Sequence, residues 1–127
     1  MSQDIQTSFK YNGAEFPFDM RDADDAEKYE TAIAKLAEDE KNLDKTGKGS
    51  DLIRGQCIML KTFFDKCLEE GAGVAVCGEK NNISVCYDAY DKFLEYCSLQ
   101  KDDILRAKNT FGKYSNRQQR RHPEAVK

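Results

Sequence analysis

The chain has no tryptophan, two prolines and a single histidine among its 127 residues. The lone His122 sits near the end of the chain, so no nucleophile can be matched with a neighbouring imidazole base. Long apolar runs are missing too. The longest, Cys57 to Leu60 and Val74 to Cys77, fall far short of the roughly 20 residues that span a bilayer, and Met1-Ser2-Gln3-Asp4 is not a basic signal-type start. The expectation is a soluble, intracellular protein with no membrane partner. Cysteine is present, but without any close pair: Cys57, Cys67, Cys77, Cys86 and Cys97 are spaced 10, 10, 9 and 11 residues apart. Zinc sites need closely paired ligands, and an odd number of cysteines does not make a secreted disulfide framework. These five residues are read as reduced, buried, apolar side chains, and no metal or other cofactor is expected. A phosphate loop is absent as well: Lys45-Thr46-Gly47-Lys48-Gly49 has its glycines two apart and follows a helical pattern, where the loop motif needs a preceding strand and wider spacing.

What is present is charge, and it is polarised. The formal net charge is −3, from 20 Lys and Arg against 23 Asp and Glu. Residues 106–127 hold seven of the basic residues and one acid, about +6, so the preceding 105 residues carry about −9. A basic end on an acidic body points to partners rather than to chemistry. Arg117, Arg120 and Arg121 are the candidate docking residues of this end. An acidic chain is unlike a dedicated nucleic-acid binder, and nucleic acid is not the expected partner. No carboxylate stands in an apolar setting with a partner that tunes it, and the chain is read as non-enzymatic.

Hydrophobic periodicity gives a mainly α fold: a three-helix bundle-like domain over residues 1–110 with an N-terminal β-hairpin at 7–19, then a flexible basic C-terminal tail at 111–127. Asn12-Gly13 is the preferred two-residue hairpin turn and sets Tyr11 against Ala14, Lys10 against Glu15 and Phe9 against Phe16. Phe9, Tyr11, Phe16 and Phe18 then share one face. A lone ribbon is marginal in water, so this face either packs on the chain's own helices, the favoured reading, or joins a partner's sheet edge, which makes Phe16 and Phe18 candidate partner-binding residues.

The first helix is expected from near Asp24, with the stripe Ala26, Tyr29, Ile33, Leu36, Ala37 and Leu43. A second, from Ser50 to Glu70, has Ile53, Cys57, Leu60, Phe64, Cys67 and Leu68 in its stripe, widened by Leu52, Met59 and Phe63, and is expected to be central. Val74 to Gly78 fits a short strand or a single helical turn, and the turn is favoured. Asn81 or Asn82 caps a third long helix with core positions Ile83, Cys86, Tyr87, Tyr90, Phe93, Leu94 and Cys97, followed by Ile104 and Leu105, ending near Lys108.

Tyr11-Asn12-Gly13, Glu15-Phe16-x-Phe18-Asp19, Asp22-Ala23-Asp24 to Tyr29-Glu30, Phe63-Phe64-Asp65, Gly78-Glu79-Lys80-Asn81-Asn82 and Tyr114-Ser115-Asn116-Arg117-x-Gln119-Arg120-Arg121 occur in that order. Together they resemble a family of small proteins from phages and prophages of Gram-positive bacteria, over about residues 8 to 121. Members of that family are similar in size and organisation to phage tail assembly chaperones. The resemblance implies a helper in the host bacterial cytoplasm that holds the phage tape-measure protein, or another tail protein, until the tube assembles around it. A chaperone of this kind works in many copies, which makes a homo-oligomer a further expectation. Exposed parts of the Leu52, Met59 and Phe63 flank, or the hairpin's outer edge, are the expected client surface. A minor head–tail structural protein and an inhibitor of a host defence protein are the alternatives.

Overall fold

The computed structural model describes residues 7–121; beyond residue 106 it describes the side chains of Asn109 and Thr110 only. Its elements run β1 (Ser8–Tyr11), β2 (Ala14–Pro17), α1 (Ala23–Lys41), α2 (Gly49–Cys67), α3 (Ala72–Cys77) and α4 (Ile83–Arg121). The fold is mainly α with an N-terminal antiparallel hairpin, as the periodicity implies.

The hairpin has the expected register, Phe9 opposite Phe16, Lys10 opposite Glu15 and Tyr11 opposite Ala14. Asn12 and Gly13 both take positive φ, 54° and 82°, which is what a two-residue turn matched to strand twist demands. Its aromatic face lies on the chain's own helices. Phe9 stacks on Phe64 at 6.3 Å and meets the edge of Phe93 at 5.0 Å, and Phe18 lies 5.3 Å from Phe93. Phe93 is 0% exposed and also touches Phe63 and Phe64, so one ring joins hairpin, α2 and α4.

Helix α2 is central, in contact with α1, α3 and α4. Its buried residues are Cys57, Met59, Leu60, Phe63, Phe64 and Cys67. It ends at Cys67, three residues short of Glu70, because the chain folds back at Leu68 to Gly71, with Gly71 in the left-handed region at φ 92°. The segment after it is the expected helical turn, α3. Asp65 Oδ1 accepts from Gly73 N at 2.7 Å and so holds the start of α3 against α2.

Three further boundaries differ from the sequence reading, and at a fourth one of the two expected caps is found. The cap of α1 lies two residues before the expected Asp24: Asp22 is the N-cap residue, and Asp25 is used elsewhere, accepting from Asp19 N at 3.0 Å. Helix α2 is preceded by Lys48 in extended backbone, so Ser50 lies inside it. At the start of α4 the cap is Asn82, whose side-chain oxygen accepts from Ser84 N and Val85 N. Helix α4 does not stop near Lys108 but continues to Arg121, through the expected boundary between domain and tail. Residues 122–127, which complete that tail, lie outside the described residues.

Some stripe positions are surface positions. Ala37, Ile53, Tyr87, Ile104 and Leu105 are exposed. In their place the core takes Ala32 and Ala89, small side chains fully buried in α1 and α4, and Gln100. Gln100 is 1% exposed and bridges to the hairpin's exit: its Oε1 accepts from Met20 N at 2.8 Å and its Nε2 donates to Phe18 O at 3.2 Å. Tyr96 OH donates to the same carbonyl. Burying a primary amide is favourable only when its donors and acceptor are met, as they are here.

Candidate interaction surface

Of the residues expected to dock partners, Phe18 is 1% exposed and Phe16 is half-buried against the core. Phe18 therefore works as a core ring and offers nothing to a partner strand. The expected client flank on α2 is closed in the same way: Met59 and Phe63 are buried under the neighbouring elements, and Leu52 is half-buried. Arg117, Arg120 and Arg121 lie on the last turns of α4, and their side chains are outside the described residues.

The cysteines are all free and buried. Burial pushes the Cys57 and Cys77 thiols up to about 11 and Cys97 up to about 12, and raises Cys67 and Cys86 as well. Nucleophilic thiols need the opposite shift. A group whose folded pKa is raised contributes stability that is complete below its unfolded value, here 9.0, and is lost as pH rises through the folded one. The urea midpoint is therefore expected to hold up to about pH 8.5 and fall between about pH 9 and 12, with a slope of about 1.4 kcal/mol per pH unit for each proton released on unfolding. A flat profile to pH 11 by circular dichroism would show that the thiols are solvated.

Where the hairpin meets α4, polar contacts fix its position. Tyr11 OH donates to Asp88 Oδ2 at 2.5 Å, and this bond together with burial pushes the phenol up to about 12. Arg21 Nε contacts Asp19 Oδ1 at 2.8 Å and its NH1 reaches Asp103 Oδ2 at 3.1 Å, which ties the loop before α1 to α4. The paired guanidinium holds the Asp19 carboxyl below its ordinary value. Among the described residues no group of three or more His, Cys, Asp or Glu side chains is placed to hold a metal ion. A shallow groove runs beside α1, lined by Ala34, Lys35, Ala37, Glu38 and Lys41. It presents no convergent set of polar groups and no buried base.

Large apolar side chains are exposed on several elements, Ile58 at 57% on α2 and Val74 at 47% on α3 among them, and three lie close together on α4. Leu99 is 62% exposed, Ile104 41% and Leu105 53%, all on α4 where it leaves the body. Helix α4 has 39 residues, about 58 Å, and the last body residue its core face buries is Gln100. The 18 residues from Ile104 to Arg121 form an arm about 27 Å long. The arm carries Arg106, Lys108, Lys113, Arg117, Arg120 and Arg121 and no acid. Sequence reasoning placed Ile104 and Leu105 in the core; the signal it overlooked is that no acid lies between Asp103 and Arg121 while the apolar spacing goes on.

A hairpin packed on a set of helices, the last of them extended into a basic arm, defines a small, mainly α-helical protein. Residues 12–124 match the Family of unknown function (DUF6673), and the chain belongs to that family. No curated protein and no solved structure matches the chain. Among the described residues no helix is long and apolar enough to cross a membrane.

Proposed function

We propose that this protein is a non-enzymatic binding protein of the phage tail assembly chaperone type, which holds a long helical tail protein, the tape measure, in the host cytoplasm. The observation that carries the reading is the arm of α4: a helix that leaves its own body with apolar residues uncovered is built to lie against another helix. The core supports the reading from the other side, since its thiols are buried and proton-holding. The basic charge of the arm adds attraction to acidic stretches of a client and speeds the encounter.

The experiment is affinity purification of the tagged protein from its host during phage growth, with nuclease treatment and mass spectrometry of what is retained. The expected result is a very long, helix-rich phage protein, with the tagged protein itself missing from finished particles. A chain ending at Asn109 is expected to lose that client. Recovery of mature virion proteins would make the protein a structural component, and recovery of one host enzyme would make it an inhibitor; either overturns the proposal.

A further inference from the structure

One row of core-facing residues on α4, beside Ala89 and Tyr96, repeats with strict alternation of four and three: Cys86, Tyr90, Phe93, Cys97 and Gln100. Four of these are buried and Tyr90 is half-buried against the core. The alternation does not stop where the body stops. It continues through Ile104, Ala107, Phe111 and Tyr114, two more heptads of the same register. A seven-residue repeat sustained along one helix keeps its seam on one side only when a second helix lies along it. Up to Gln100 the body covers the seam. At Ile104 it is open to solvent.

Charge and shape decide what fits there. The arm from Ile104 to Arg121 carries six positive residues and no negative one. At its base, the loop and first turn of α1 contribute Asp19, Asp22, Asp24 and Asp25, and α4 contributes Asp102 and Asp103, with Arg21 and Lys101 the opposing charges in these two stretches. Arg21 links the two, contacting both Asp19 and Asp103. The molecule thus has a positive tip and a negative base on the same rod. Two such rods side by side in parallel set like charges together along their length; two rods in opposite directions set each tip on the other's base.

We propose that the arm pairs antiparallel with the arm of a second copy of this chain about a two-fold axis. The seam is self-complementary in that direction. In that register position 104 falls opposite 114 and position 107 opposite 111. Beyond position 114 each tip meets the segment from Asp19 to Asp25 of the other copy, which closes the seam at Gln100. Two heptads are short for a free-standing coiled coil, so the charged ends carry a large share and the pairing weakens with salt. The inference rests on reading the arm as a helix-docking surface, and not on which client the protein holds; Leu99 and Leu105, outside the seam, stay exposed for that client.

The test is the mass of the full chain by light scattering after gel filtration, over a range of concentration and salt. The expected species at low salt has twice the 14.5 kDa of one chain. Ile104→Asp and Phe111→Asp are each expected to give a monomer with the helical circular dichroism of the parent. Arg117→Glu with Arg120→Glu and Arg121→Glu is expected to raise the dissociation constant about tenfold. A monomer at every concentration overturns the proposal, as does a dimer indifferent to both aspartates. A dimer tightened by the three glutamates overturns the antiparallel direction. The two readings separate cleanly: a monomer that still retains the tape-measure chain removes the pairing and leaves the chaperone, and a dimer that retains no client does the reverse.

Discussion

Phe93→Ala is expected to lower the stability of the folded chain by about 3 to 5 kcal/mol, the range for removing a buried aromatic ring. The reason is the number of elements that meet on that ring. Phe9 and Phe18 from the hairpin region, Phe63 and Phe64 from α2, and Tyr96 from α4 itself all have ring centroids within 6.3 Å of it. The cavity left by alanine has no single wall that can collapse, because each wall belongs to a different element. Domains of this size are stable by about 5 to 15 kcal/mol, so the variant falls close to the unfolding threshold. Phe93→Leu keeps most of the volume and gives up the edge-to-face contacts, and is expected to cost about 1 to 2 kcal/mol. Urea unfolding followed by circular dichroism measures both. A Phe93→Leu variant as stable as the parent would mean that ring geometry contributes nothing here.

Gly73→Ala is the second large effect, and its sign is set by competition. Alanine is about 1 kcal/mol better than glycine within a helix. Here the added methyl would lie 2.3 Å from Lys61 O and 2.7 Å from Lys61 C and Cα, all backbone of α2. Nothing in that wall can rotate away. Helix α3 must lift by more than 1 Å to regain van der Waals separation, which strains the 2.7 Å bond from Gly73 N to Asp65. The net loss is expected to be about 2 to 3 kcal/mol. Gly55→Ala provides the contrast: its methyl would meet only Leu43 Cδ1, at 2.7 Å, the far end of a flexible side chain. That variant is expected to lie within about 0.5 kcal/mol of the parent or above it. Thermal unfolding of the pair distinguishes backbone contact from side-chain contact, and a stabilised Gly73→Ala would refute the close approach of α3.

These two sites mark where sequence reasoning reaches and where it ends. The hairpin was legible to the residue, because Asn12-Gly13 fixes the turn and alternation fixes the faces. So was the central place of α2, whose apolar residues cover two sides. Gly73 was not, since its role depends on the distance between two helices, which no spacing in either one records. Ala32 and Ala89 were missed for a related reason: the space beside a buried alanine is decided by neighbours. Ile104 and Leu105 show the converse error. Three-and-four spacing says which face of a helix is apolar, and does not say how far along the helix a neighbour extends. Of the candidate docking residues, the arginines of the last turns were readable as charge alone, and Phe18 was misread because a hairpin face looks the same whether its cover comes from within or from outside.

The hairpin also orders events during synthesis. Residues 8 to 17 can pair as soon as they emerge, since their turn is local. Their cover comes from Asp88, Phe93, Tyr96 and Gln100, some eighty residues later. At ribosomal speeds of about 5 to 20 residues per second, the aromatic face waits for roughly 4 to 16 seconds before α4 exists to receive it. The first structure this chain makes is the last to be fully covered, and a ribosome stalled before Phe93 holds out a ribbon that only Phe64 and α3 can meet.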